Sequence, residues 1–344
     1  MYKVVLFKSE HRFEEFRAEL ERQSFEVVVL DFDLNEWSQF DFNDVFAIVY
    51  FPAFSYSSNH PQALYTVKDN LHYIHARYPH LEIFPDANVI EFYSDKYRQM
   101  LFLQSCGMAH PDTYALVSPT TLDLAEQKLG YPMVVKNRFG AGGDYVFRVE
   151  NRKQLEHFYR LSVMNFLGWQ ELLFFARRIF TRRFFYHLIR ERRMEYPFLS
   201  PPLLAQRFVQ HDRDLKTVVG GGSVVEAHWR IRSDPEMWKM NIDGGGIGEW
   251  SAVPQEAIDL SCALAKELDA SWVNVDLIHD GTRFLVSEFS PVWHHYGYKE
   301  QSSFVYKEDY NIDVPLEESL NLEFIIVSAL KKKADWAKTD KRSV

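Results

Sequence analysis

Cysteine is nearly absent from this chain of 344 residues: there are two, Cys106 and Cys262. Two thiols cannot build a disulfide framework, nor a thiolate metal site unaided. They read as buried thiols in a reducing compartment. Long apolar runs are missing as well. No uncharged apolar stretch reaches about 18 residues, the length that signals a membrane-spanning helix. The opening "MYKVVLFKSEHRF" lacks the cationic segment and long apolar core of a signal peptide. Both absences lead to the expectation of a cytoplasmic protein. Glycine and proline are few, 15 and 14, which excludes collagen-like and low-complexity chains. Positive charge is in deficit: 39 Lys and Arg against 48 Asp and Glu, net −9. No specific nucleic-acid partner is expected from such a balance.

What is present is a large apolar inventory, 47% of residues, with 28 Phe, 18 Tyr and 8 Trp. A chain this long exceeds the size at which one core keeps growing, so several packed units are expected. The first ninety residues alternate strand and helix signals. "YKVVLF", "FEVVVLDF", "DVFAIVYF" and "LEIFPD" are short apolar runs; "HRFEEFRAELERQ" and "ALYTVKDNLHYIHARY" have helical spacing. Such alternation implies an open, mostly parallel sheet under helices, with any ligand beyond the strands' carboxyl ends.

From residue 94 the pattern changes. "SDKYRQMLFLQSCG" is a capped helix closed by Gly107, and "TTLDLAEQKLG" one closed by Gly130. Between the strand signals of "YPMVVKNRFGAGGDYVFRV" lies a glycine-rich turn. Its glycines admit positive φ and let backbone N–H groups approach an anion, while Lys136 ends the strand just before them. "LLAQRFVQHDRDLKTVVGGGSVVEAHWR" offers an apolar strand with Gln206, then Asp214, Lys216 and, on a returning strand, Arg230. "NIDGGG" places Asn241 before three glycines. "NVDLIHDGTRFLVSEFSP" puts Asp276 and Glu288 on two strands joined by a tight turn, an arrangement suited to Mg²⁺ shared with phosphates.

In this order and spacing the motifs resemble the ATP-grasp superfamily, and within it the carboxylate–amine ligases similar to the ribosomal-protein glutamate ligase and glutathione synthetase. The resemblance implies an α/β chain, α+β in its nucleotide-binding part: an ATP-grasp fold preceded by a Rossmann-like domain. The expected division is 1–93 for that α/β domain, 94–203 for the small subdomain with glycine flap and Arg-rich helical enlargement, 204–335 for the large subdomain with the metal site, and 336–344 for a polar tail. By resemblance Lys96 and Lys136 hold the nucleotide's phosphates under a flap of Gly140, Gly142 and Gly143. Gln206, Phe208 and Val209 form the adenine hinge, with Asp214 as the acidic residue beside it. Lys216, Arg230 and Asn241 are the catalytic set, and Asp276, Glu288 and Ser290 the metal set. The cofactors implied are ATP and Mg²⁺, two ions, with Mn²⁺ as a substitute.

Two positions depart from the family pattern. Serine stands at 290 where asparagine is usual, offering one hydroxyl in place of an amide carbonyl. Lysine at 216 replaces arginine, keeping the charge and losing the bidentate fork. The implied activity is an ADP-forming ligase that makes an amide through an acylphosphate. Its partners are carboxylate and amine substrates, one of them an anionic acceptor such as an acidic peptide, a sugar acid or a phosphorylated metabolite. Two alternatives stay open: a kinase of this fold acting on a hydroxyl of a polyanion, and a nucleotide-binding module with degraded catalysis. A homodimer is equally open.

One feature stands outside the motifs. "RRIFTRRFFYHLIRERR", residues 177 to 193, carries seven arginines and one glutamate inside an acidic chain. On one helix, Arg178, Arg182, Arg183, Arg190 and Arg193 would share an arc opposite Phe180, Phe184 and Leu188. Solvation, docking of an anionic acceptor and attachment to an anionic membrane face all fit the pattern. The use of arginine alone favours planar carboxylate or phosphate recognition. Arg182, Arg183 and Arg190, with His294 and His295 just past Glu288, are the candidate acceptor residues.

Overall fold

The computed structural model describes residues 2–9, 12–32, 34–51, 61–139, 145–163, 168–180, 199, 201–234, 238–240, 246–249, 251–291 and 322–340. The first sheet comprises β1 (Lys3–Phe7), β2 (Glu26–Leu30), β3 (Val45–Val49) and β4 (Glu82–Phe84), in the order β2-β1-β3-β4 and parallel throughout. Helices α1 (Phe13–Arg22) and α2 (Pro61–Arg77) connect its strands. The strands are apolar at successive positions because both faces are covered. Val4 and Leu6 pack with Phe16 and Leu20 of α1, whereas Val5 and Phe7 pack with Leu71 and Ile74 of α2.

A short helix α3 (Ala87–Ile90) leads to α4 (Lys96–Ser105), β5 (Thr113–Leu116), α5 (Pro119–Leu129), β6 (Met133–Lys136) and β7 (Val146–Val149). Then come α6 (Arg152–Ser162), α7 (Trp169–Ile179) and β8 (Leu203–Arg207). The second sheet runs β5-β8-β6-β7 and is antiparallel. Ser118 caps α5 reciprocally with Thr121, and Gly130, at φ 65°, ends that helix.

The third sheet holds β9 (Arg213–Gly220), β10 (Ser223–Ile231), β11 (Ile247–Glu249), β12 (Trp272–His279) and β13 (Phe284–Ser290), ordered β11-β10-β9-β12-β13 and antiparallel. Helix α8 (Gln255–Glu267) covers one face, burying Leu215, Val219, Val273, Val275 and Leu277 against Leu264 and Ala265. Gly221 and Gly222, at φ 60° and 90°, make the β9–β10 turn. At Gly220 a Cβ would stand 2.9 Å from the Trp272 ring, so the fully packed indole requires glycine there.

Helix α9 (Leu322–Asp340) packs Ile325, Ile326, Val327 and Leu330 against Val4, Leu6 and Phe16 of the first unit and Val218, Val225 and Trp272 of the third sheet. Arg12 pairs with Glu323, and the Tyr2 hydroxyl donates to the Ala334 carbonyl at 2.6 Å. Helix continues to Asp340, through much of the stretch that reads as a polar tail in sequence, and Ala334 anchors it in that core. Cys106 and Cys262 form no disulfide with each other and are only half-buried. Among the described residues no helix is long and apolar enough to cross a membrane.

Candidate functional site

The third sheet turns a polar face away from α8, and its pairing register fixes who stands beside whom. Facing residues of antiparallel strands project to the same side. One row across the sheet reads His228, Lys216, Asp276, Glu288 on β10, β9, β12 and β13. The neighbouring row places Arg230 opposite Asp214. A register shift after Asp276 separates its pairing with Glu288 from the rest of the hairpin. Tight-turn signals in the sequence made these two carboxylates neighbours on paper, and the ladder makes them direct partners.

Charges alternate along this face. Arg230 Nε donates to Asp214 Oδ1 at 2.6 Å, and its Nη2 lies 3.3 Å from Asp276 Oδ1. Lys216 Nζ is 3.7 Å from the same oxygen. Burial alone would raise the Asp276 carboxyl, but the Arg230 guanidinium and the Lys216 ammonium outweigh it and hold it below the usual carboxylate range. Burial raises Asp214 above that range, and Arg230 only partly offsets it. The difference is physical: one guanidinium serves both acids, and only Asp276 has the lysine in addition. The same neighbours thus shift the two carboxyls in opposite directions. Asp276 Oδ1 is buried and, despite these ion-pair contacts, receives no hydrogen bond. A hard oxygen left open beside Glu288 fits a hard divalent cation such as Mg²⁺. Among the described residues no group of three or more His, Cys, Asp or Glu is placed to hold a metal.

Two lysines reach this row from other elements. Lys96, first residue of α4, brings Nζ to 3.4 Å from Glu288 Oε1. Lys136 ends β6. Burial pushes its ammonium down to about 8, with Glu288 opposing the fall and Lys96 adding to it. The placement of Lys96 rests on residues the sequence reading passed over. Asp95 caps α4 by accepting from the Arg98 N–H, and it also binds the Arg138 guanidinium at 2.9 and 2.6 Å. The Lys96 N–H donates to the Arg138 carbonyl at 3.0 Å. Gln99, one turn on, donates to the Phe289 carbonyl at 2.8 Å and accepts from the Phe289 N–H at 3.3 Å. Helix α4 is thereby clamped to the β13 backbone between Glu288 and Ser290. The capping signal of Asp95 was legible; its second role was not.

Gln206 lies on β8, just before the segment that joins the second and third sheets, and its Nε2 donates to Thr113 Oγ1 at 3.0 Å. Arg207 binds Asp112 through two nitrogens, at 2.9 and 2.6 Å. The Phe208 ring carries the Arg148 guanidinium at 4.7 Å and meets Trp238 edge-on at 6.3 Å. The Val209 carbonyl accepts from His211 Nδ1 at 2.7 Å. Gly140, Gly142, Gly143, Arg182, Arg183, Arg190, Asn241, His294 and His295 lie outside the described residues. So does the shared arc of arginines, because α7 is described only to Ile179 and is followed by Phe180.

No protein-family model matches the chain. Beta-citrylglutamate synthase B of Danio rerio is 27% identical over 190 residues, covering 53% of this chain and 38% of that protein. N-acetylaspartylglutamate synthase A of Homo sapiens is 26% identical over 189 residues, 53% of this chain and 39% of that protein. The matched stretch thus spans about two fifths of the length of these curated relatives. Among solved structures, the ATP-grasp ligase PsnB complexed with minimal precursor, Mg and ADP superposes with a TM-score of 0.55 at 12% identity, covering 96% of this chain and 98% of that one. The chain has the ATP-grasp fold. The mixed α/β class expected from the sequence is that of this fold, and the polar face of the third sheet is its candidate active face.

Proposed function

We propose that this ATP-grasp chain is an ATP-dependent carboxylate–amine ligase, with Asp276 and Glu288 at its centre. The observation that carries the reading is the row Lys216–Asp276–Glu288–Lys96: two carboxylates neighbouring one another, each against a lysine. Anions that approach this row are a nucleotide's phosphates and a substrate carboxylate, and the cations answer them. Lys136 and Lys96 would hold the phosphates of ATP. Gln206, Phe208 and Val209 would border adenine, with Asp214 beside them. Asp276, Glu288 and Ser290 would hold Mg²⁺, which when bound neutralises phosphate charge. Two ions, and Mn²⁺ in their place, belong to this proposal.

A substrate carboxylate oxygen bonds to the γ-phosphorus, and the bond to the β-phosphate oxygen breaks to release ADP. Negative charge gathers on the transferred group, where Arg230 and Lys216 stand to stabilise it. An amine then attacks the acylphosphate carbonyl, the amide forms, and phosphate leaves. Asn241 completes the catalytic set in this reading, and Gly140, Gly142 and Gly143 exclude the water that would hydrolyse the acylphosphate.

The two relatives are named for products that contain glutamate, which supports an acidic substrate here, with L-glutamate first among amines. Arg182, Arg183 and Arg190, with His294 and His295, would dock the anionic acceptor. The test is ADP release with L-glutamate crossed against a panel of carboxylates. Release that needs both substrates supports the ligase, and release with neither identifies a different enzyme.

A further inference from the structure

Glu226 on β10 is the carboxylate of the active face that the reading above leaves unused. It is 2% exposed, and neither of its carboxylate oxygens meets a hydrogen-bond donor. A register shift between Val224 and Glu226 resets the strand, after which Glu226 pairs with Val218, Val218 with Asn274, and Asn274 with Ser290. This row projects to the same side as His228–Lys216–Asp276–Glu288 and lies one step further along the strands, about 7 Å away. The face closes here, because Val218 of this row, with Val225 and Trp272, joins the apolar core formed with the first sheet and α9. His228 Nδ1 is 3.4 Å from Glu226 Oε1, outside hydrogen-bond geometry.

A buried carboxylate without donors is costly, and native proteins pair nearly all such groups. Among the described residues no donor bonds its oxygens, which leaves them open to a ligand rich in N–H groups or positive charge. The row next to it is where the ligase reading puts the reacting phosphate and acyl group, and the nucleophile of that reaction is an amine. We infer that Glu226 anchors the amine substrate, accepting hydrogen bonds from its nitrogen at the inner end of the active face. The inference rests on the ligase reading for the identity of the ligand.

The isosteric variant Glu226→Gln separates this role from a structural one. Replacing a buried carboxyl group whose oxygens meet no donor should leave the unliganded melting temperature equal or higher, and ATP affinity within twofold of wild type. L-Glutamate and ethylammonium should each raise the melting temperature of the Mg-ADP-loaded wild type and leave the variant unmoved. In turnover, KM for the amine should rise at least tenfold. A variant that melts lower and still responds to both amines overturns the inference, as does equal stabilisation of wild type by potassium chloride, which marks a monovalent-cation site. Amine-dependent ADP release unchanged in the variant sinks the inference and leaves the ligase standing. A Glu226-dependent amine response without ADP release sinks the ligase and leaves the amine site standing. Should the Gln variant not fold, Glu226→Asp is read by the same criteria, with a reduced amine response expected.

Discussion

Asp95 and Arg138, 43 residues apart in sequence, are joined by two hydrogen bonds of 2.9 and 2.6 Å. Asp95 is fully buried. Through its cap on α4 and the Arg138 carbonyl on the Lys96 N–H, this pair fixes Lys96, which lies close enough to Lys136 to lower its ammonium. Breaking a buried pair by removing one partner costs about 3–5 kcal/mol. Asp95→Asn should lose stability on that scale in urea melts and weaken ATP binding. Asp95→Asn with Arg138→Met should recover part of the stability without recovering ATP affinity.

Asp276 and Glu288 carry the metal proposal. Asp276→Asn and Glu288→Gln should each cut Mg²⁺-dependent ADP release by about 10² or more, the scale of losing one element of transition-state charge stabilisation. Nucleotide binding without Mg²⁺ should persist, measured by calorimetry. Unchanged turnover would remove these residues from the metal site.

Lys68 gives a pH dependence. It lies on α2 with Nζ donating to the Glu91 and Tyr93 carbonyls at 3.1 and 3.0 Å. Burial pushes its ammonium down to about 8 from an ordinary 10.5, with Asp95 partly opposing. Below about 8 the burial cost of the charge is fully present. Between about 8 and 10.5 the unfolded chain holds more protons, so this group makes stability rise with pH. Lys68→Met should lack that rise. The stability difference between wild type and variant, from urea melts at pH 7 and pH 10, should shift in favour of wild type at the higher pH.

The arginine run makes a prediction about substrate. Arg182→Gln, Arg183→Gln and Arg190→Gln together should raise acceptor KM about tenfold or more, the worth of one or two charge-assisted contacts, with ATP affinity unchanged. Equal loss of ATP affinity would place the run at the nucleotide.

The legible parts of this fold were those with local signals. Glycine-ended helices, the β9–β10 and β12–β13 hairpins and the opening strand–helix alternation all write their turn residues into the sequence. Asp276 and Glu288 were legible as neighbours because a tight turn joins their strands. The Asp95–Arg138 pair was not, since nothing local links a helix cap to a loop 43 residues later. Glu226 and His228 did leave a trace: with Arg230 they are the polar alternates of "SVVEAHWRI", a period of two that marks one face of a strand. Helix α9 reads as polar at its end because the core that holds Ala334 is built from distant segments.

The measurement that bears most directly on the ligase reading uses a substrate carboxylate labelled with ¹⁸O, incubated with ATP, Mg²⁺ and amine. Transfer through an acylphosphate predicts one labelled oxygen in each released phosphate, and none without amine turnover. Phosphate released without label, or retained on a hydroxyl of the product, would contradict it.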